Sequence, residues 1–245
     1  VFNRGEIAAT GGTSGVVYAI TDNTKTKESS RINNFAHVNY TRKQPRIGKL
    51  LCINGSGIQY SWMKQHVAAS TDSYNDMNKL AKSIPVGSEG LRILPFGNGA
   101  ERMLNSKNTG ASIFNLNFNK HNKGHMLRAS LEGIAFSFVY GIDILKNDGV
   151  NLSTMRAGND NLFRSEIFSN TIATLVETDI NIIDTTGAIG AARAAGISTG
   201  DFKSLDEAFS DNDHVMTYHP LKNKKLYEDS YQLWKQDLEN QYHKS

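Results

Sequence analysis

The stretch ATGGTSGVVYAITD, residues 9–22, joins a Gly-Gly-Thr-Ser-Gly turn to a run of β-branched and aromatic residues. Val16, Val17, Tyr18, Ile20 and Thr21 suit a pleated, half-buried surface, so residues 14–21 read as a strand. Glycine lets backbone N–H groups converge and lets a ligand approach the main chain. Converging N–H groups beside a Thr or Ser hydroxyl suit phosphate oxygens. The same form, an apolar strand followed by glycine and small polar residues, recurs at INGSGIQ (residues 53–59) and RAGNDN (residues 156–161). These two turns precede expected helices, whose N-termini would add a dipole favourable to anions. None of the three is a P-loop or a complete G-x-G-x-x-G. Three such turns at strand ends point to a nucleotide, because ligands of open α/β sheets collect at the carboxyl ends of strands.

Around these turns the periodicity organises the chain. Residues 31–40 and 47–54 read as two further strands, making an antiparallel opening meander. Residues 55–68 turn helical, with Ile58, Trp62, Val67 and Met63 supplying the apolar stripe. A second short helix, residues 73–84, stops at Pro85, and residues 90–96 form a short strand. The glycine-rich, polar residues 97–112 read as a long surface loop. In residues 122–146, Leu127, Leu131, Ile134, Ala135, Phe138, Ile142 and Leu145 recur every three or four positions, which predicts a long helix with one wide apolar face. Residues 152–161 form a strand that breaks into a turn. Residues 163–177 form a helix with Phe163, Ile167, Thr171 and Leu175 in register, and residues 179–184 form a strand. Residues 187–198 form a helix of small residues. Ala188, Gly190, Ala191, Ala194 and Ala195 would pack it tightly on a sheet, or let a ligand come close. A last helix, residues 223–241, puts Tyr227, Tyr231, Trp234 and Leu238 on one side. Early strands followed by alternating helices and strands predict one layered α/β domain with a mixed sheet.

Composition narrows the function. The chain of 245 residues is long enough for a substantial core. Its net charge is +3, from 27 basic and 24 acidic residues. No basic stripe stands out, which disfavours nucleic acid as a partner; the basic run at residues 221–227 reads as a solvated helix end. One cysteine, Cys52, permits no internal disulfide and reads as a small buried strand residue, which favours a reducing, cytoplasmic setting. No apolar run is long enough to span a membrane. The seven histidines are scattered and there is no Cys/His cluster, so no metal site is expected. Glu101, Arg102 and Glu132 are the charged residues of most interest, with Glu132 placed either to orient the glycine turns or to pair with a base.

Five pieces in order resemble the C-terminal domain of FGGY carbohydrate kinases, with xylulose kinases as the nearest branch. They are GGTSGVVYAIT (residues 11–21), LLCINGSGIQYSWM (50–63), LRILPFGNGAERMLN (91–105), LRASLEGIAFSF (127–138) and TTGAIGAARAAGIS (185–198). The resemblance implies an actin-like, ribonuclease-H-like α/β fold whose mixed sheet runs from an antiparallel meander into βαβ. It implies the ATP-binding half of a kinase that moves the γ-phosphoryl group to a sugar hydroxyl, with ATP or ADP and Mg²⁺ as cofactors. Xylulose is the expected sugar, with ribulose, glycerol, fuculose and rhamnulose as alternatives. Gly12, Thr13 and Ser14 would then lie at the phosphates, and Gly55 and Gln59 along the nucleotide. The family's Gly-Gly-Gly-Ala adenosine motif falls on Gly158, Asn159 and Asn161; the turn departs from it by keeping one glycine and by about two extra residues. Ser165 or Glu166 would take the place where that motif touches the nucleotide, and Asp160 would be an outer contact of the metal.

By the same resemblance, the catalytic aspartate and the Asp-x-Gly-Thr phosphate turn fall upstream of Val1, in a sugar-binding domain that this chain would complement. The expectation follows that the chain alone binds nucleotide weakly, turns over no sugar, and associates through surface that the other domain would cover. A homodimer is an open partner. The competing reading is a non-catalytic actin-like nucleotide-binding module. The loop with Glu101 and Arg102 discriminates between the two, since closure over a substrate would need it.

Overall fold

The computed structural model describes residues 1–209 and 213–244. Its centre is a strand that the sequence reading passed over. Glu6–Gly11 (β1) holds two alanines and opens on a glutamate, and such residues are depleted in strands. Its neighbours make it one. It pairs antiparallel with Gly15–Thr21 (β2), in register Ile7↔Ala19 to Gly11↔Gly15, across the Gly12–Thr13–Ser14 tip. On its other side it pairs parallel with Thr154–Gly158 (β7). Asn33–Ala36 (β3), Ile47–Ile53 (β4), Ile180–Ile183 (β8) and His214–Tyr218 (β9) complete a seven-stranded mixed sheet in the order β3-β4-β2-β1-β7-β8-β9. The early strands are antiparallel as expected, but β4 rather than β3 lies beside β2. The outermost strand β9 was also unanticipated.

Between β4 and β7 the chain builds Gly57–His66 (α1), Tyr74–Lys82 (α2), the hairpin Arg92–Phe96 (β5) with Gly110–Phe114 (β6), and the long helix Lys123–Asn147 (α3). The predicted single apolar face of α3 is an understatement. Leu127, Leu131, Ile134 and Phe138 are buried, and so are Ala129, Ser130 and Ser137 on other faces. The helix is enclosed because it lies between the main sheet and the β5–β6 hairpin. Gly133 permits this: a Cβ there would sit 2.2 Å from the Ile93 carbonyl oxygen. Beyond β7 come Glu166–Val176 (α4), Gly187–Thr199 (α5), the short Leu205–Ala208 (α6) and Lys224–Lys244 (α7). On α7 the predicted face is buried, with Tyr227, Tyr231, Trp234 and Leu238 all 6% exposed or less. Trp234 Nε1 donates to the Ile93 carbonyl at 2.9 Å, so its indole N–H is not stranded in the core.

Several expectations are corrected. Residues 97–112 run mostly over the surface, as expected, but they are anchored to the core at one point rather than free. A 3₁₀ turn, Glu101–Leu104, sets Met103 and Leu104 into the core, and Ala100 just before it is fully buried; the segment then enters β6. The Arg102 guanidinium is engaged within the domain. It donates to the Ser29 and Ser30 carbonyls and to Asn33 Oδ1, tying the turn to the start of β3. On α1 the stripe is rotated: Tyr60 and Met63 are buried while Trp62 is 51% exposed. Phe163 belongs to a separate 3₁₀ turn, Asn161–Arg164, because Ser165 is extended and breaks the register before α4. There it meets Phe138 and Phe168 edge-on, at ring separations of 6.1 and 5.1 Å. The small-residue helix α5 has no buried residue, so it does not pack tightly on the sheet. Cys52 is half-buried on β4, and burial pushes its thiol pKa up.

Ser73 caps α2 in a reciprocal box with Asp76, an arrangement that satisfies two otherwise unpaired N–H groups. Ser73→Ala should lower the unfolding free energy by about 1 kcal/mol in urea titration, and a change within error would show that α2 draws its stability from packing alone.

Candidate functional site

A cavity of about 660 Å³ opens beside the carboxyl end of β1. Its first wall is the β1–β2 tip with the start of α1: Gly11, Gly12 and Thr13 face Gly57 and Ile58. The two pieces are bonded together. Gly57 N–H donates to the Gly12 carbonyl at 2.9 Å and Ile58 N–H to the Thr13 carbonyl at 3.2 Å. The first donors of α1 are therefore spent on the tip rather than left for an anion, which corrects the dipole argument for this helix. The tip needs Gly57, since a Cβ there would lie 2.5 Å from the Gly12 carbonyl oxygen.

The second wall comes from Asn161, Leu162, Arg164 and Ser165, at the entry to α4. Ser165 is 4% exposed and its hydroxyl is buried without a hydrogen-bond partner. It stands at the N-cap position but does not cap. A buried, unpaired hydroxyl costs about 1–3 kcal/mol, so one on a cavity wall marks a place where a ligand atom would be accepted. Arg164 is exposed and forms no ion pair among the described residues. The third wall is α2 with the body of α1: Tyr60, Ser61, Ser73, Tyr74, Asn75 and Asn78. Lys82 of α2 reaches Glu166 of α4 at 2.5 Å, so an exposed ion pair links two walls.

Of the residues expected from the sequence, Gly12, Thr13, Asn161 and Ser165 converge on the cavity. The others do not line it. Ser14 is exposed beside the tip. Gly55 adopts φ +84° and faces the Pro95 carbonyl, where a Cβ would sit 1.8 Å away, so its glycine is required by the turn. Gln59 Oε1 accepts from Ser130 Oγ at 2.6 Å. Gly158 ends β7, and Asn159 N–H donates to the Ile183 carbonyl at 2.9 Å. Asp160 is exposed next to Gly158. Glu132 does not orient the glycine turns. It accepts from Arg128 Nε at 2.6 Å and from Gly87 N–H at 3.1 Å, and thus holds the turn before β5. Burial pushes its carboxyl upward, and the Arg128 guanidinium pulls the other way.

The third wall was missed by sequence reasoning. Nothing in SYNDMN announces that α2 will face a turn about sixty residues earlier, and no glycine or charge pattern marks it. No group of three or more His, Cys, Asp or Glu side chains among the described residues is placed to hold a metal ion. No helix among them is long and apolar enough to cross a membrane.

Residues 7–199 match the FGGY family of carbohydrate kinases, C-terminal domain. The chain is 29% identical to the gluconokinase of Bacillus subtilis over 215 residues, covering 83% of this chain and 40% of that protein. It is 29% identical to the xylulose kinase of Haemophilus influenzae over 239 residues, covering 94% and 46%. Among solved structures, the glycerol kinase of Plasmodium falciparum with ADP superposes with a TM-score of 0.80 at 21% identity, over 98% of this chain and 48% of that one. The fold is accordingly the actin-like one of these kinases. The chain spans less than half the length of each of these relatives.

Proposed function

We propose a nucleotide-holding role on one premise: this chain belongs to the FGGY family of carbohydrate kinases, as a C-terminal domain. In this reading it binds ATP or ADP in the cavity beside β1 and forms the nucleotide half of a sugar kinase. The observation that carries the reading is the buried, unpartnered Ser165 hydroxyl, set in a cavity that the glycine tip also lines. The tip offers backbone and the Thr13 hydroxyl to phosphate oxygens, and Ser165 offers a hydrogen bond to the nucleoside side. Arg164 adds positive charge at the same mouth.

Phosphoryl transfer needs positioned phosphates, a place for developing charge and a base for the sugar hydroxyl. This chain would supply the first of these. The sugar and the base would come from a second domain across the cleft, such as the relatives' additional length would provide. The Mg²⁺ accompanying the nucleotide would be held by phosphate oxygens and water, since these side chains group into no metal site among the described residues. Xylulose is the sugar to test first, with gluconate and glycerol next because relatives with those names match the same region.

Titration calorimetry of the chain with Mg-ADP tests the reading. Binding is expected, weakened about tenfold by Thr13→Ala through loss of a phosphate hydrogen bond. An unchanged affinity in Thr13→Ala would remove the tip from the site, and no binding by the unaltered chain would remove the nucleotide.

A further inference from the structure

The third wall of the cavity has chemistry that phosphate binding does not use. Tyr74 and Asn78 are four residues apart on α2 and so share a face. Tyr60 of α1 meets both. Its ring stacks on Tyr74 at 5.8 Å between centroids and 27° between planes, and its hydroxyl donates to Asn78 Oδ1 at 2.8 Å. Tyr60 is buried, and burial pushes its pKa well above the ordinary tyrosine value, so the hydroxyl keeps its proton and remains a donor. That contact orients the Asn78 amide. Its oxygen is engaged, and its NH₂ group has no acceptor among the described residues. Tyr74 is 43% exposed, with the Lys64 ammonium 4.6 Å from its ring centre.

The cavity thus carries two unlike sets of lining groups. One is a glycine tip and an arginine, suited to an anion. The other is a flat aromatic wall with an aimed amide donor. A ligand that satisfies both carries phosphate at one end and a planar ring with a nitrogen acceptor at the other. We infer that Asn78, oriented by Tyr60, donates to a ring nitrogen of the nucleotide base and that Tyr74 forms the wall against which the base lies. The inference rests on the nucleotide reading above and adds to it the residues that recognise the base. An amide that donates while its own oxygen is held selects an acceptor and disfavours a ring N–H at the same place.

Calorimetry with two probes tests it: Mg-ADP, which has a base, and Mg-tripolyphosphate, which has none. Asn78→Leu should weaken ADP about tenfold and leave tripolyphosphate unchanged, the size expected for one hydrogen bond in a closed site. Asn78→Asp keeps the shape but replaces the donor with an acceptor, and should weaken ADP at least as much. Tyr74→Ala should weaken ADP, again without effect on tripolyphosphate. ADP binding unchanged in Asn78→Asp, or an equal loss of both ligands in the variants, overturns the inference. So does an unaltered chain that binds both probes equally well, since the base would then contribute nothing; that result leaves the nucleotide site standing at its phosphate end. An unaltered chain that binds neither probe overturns the nucleotide reading itself.

Discussion

Asp148→Ala is expected to lower the unfolding free energy by about 3–5 kcal/mol, the range for removing one partner of a buried ion pair. Asp148 follows α3 and Lys49 lies on β4, and both side chains are 0% exposed. Lys49 Nζ bonds to Asp148 Oδ2 and also donates to the Lys25 carbonyl at 2.9 Å. Asp148 further accepts from the Thr26 hydroxyl at 2.9 Å and from Lys27 N–H at 2.5 Å. It therefore clasps the loop between β2 and β3 to the end of α3. Removing the carboxylate strands the Lys49 ammonium and the Lys27 N–H together. Converting Lys49 to Met as well should recover only part of the loss, because the loop N–H would still lack its acceptor. Urea unfolding of the single and double variants measures this. Full recovery in the double variant would show that the ion pair alone matters.

The same group sets a pH dependence. Burial pushes the Asp148 carboxyl up, but the Lys49 ammonium, Lys27 N–H and Thr26 hydroxyl outweigh it and hold the pKa below the usual value. A depressed native pKa means that the unfolded chain binds its proton first on acidification. The stabilisation is therefore complete above the unfolded aspartate pKa of about 3.9 and is lost as pH falls from there through the native value. Unfolding midpoints measured between neutral pH and pH 3 should decline more steeply in the unaltered chain than in Asp148→Ala. Parallel slopes would contradict the assignment.

Gly57→Ala is expected to cost about 1–3 kcal/mol of stability and to weaken Mg-ADP by at least about tenfold. The new Cβ would meet the Gly12 carbonyl at 2.5 Å, and the same carbonyl accepts from Gly57 N–H, so relief of the clash breaks the bond that joins α1 to the tip. Both pieces of the cavity's first wall, the tip and the start of α1, then move. Gly190→Ala on α5 is the control. No atom lies within 4 Å of the position its Cβ would take, and it should be neutral or stabilising by up to about 1 kcal/mol through helix propensity. Calorimetry and urea unfolding on both variants check this. Tight ADP binding by Gly57→Ala would place the phosphates elsewhere.

Legibility differed between elements for physical reasons. α3 and α7 were readable because burial imposes a helical period on the sequence, and Leu127, Phe138 and Trp234 keep that period. β1 was not, because a central strand between two others is held by ladder hydrogen bonds and tolerates alanine. The loop 97–112 looked polar, yet Met103 and Leu104 anchor it; two apolar side chains suffice when a turn points both inward.

At the site the division is similar. Gly12, Thr13 and Asn161 stood out in the sequence because a close backbone approach needs small residues wherever it occurs. Gly55 stood out for the same reason and Gln59 through the family resemblance; in the structure Gly55 meets the Pro95 carbonyl and Gln59 bonds Ser130. Local chemistry determined the mixed α/β class, the long helices and the glycine turns, since propensity and period act over a few residues. Only the tertiary structure decided which turn faces the cavity, that Ser165 is buried without a partner, and that Tyr60 aims Asn78. Those contacts join residues far apart in the chain, and no local pattern records a neighbour that arrives through folding.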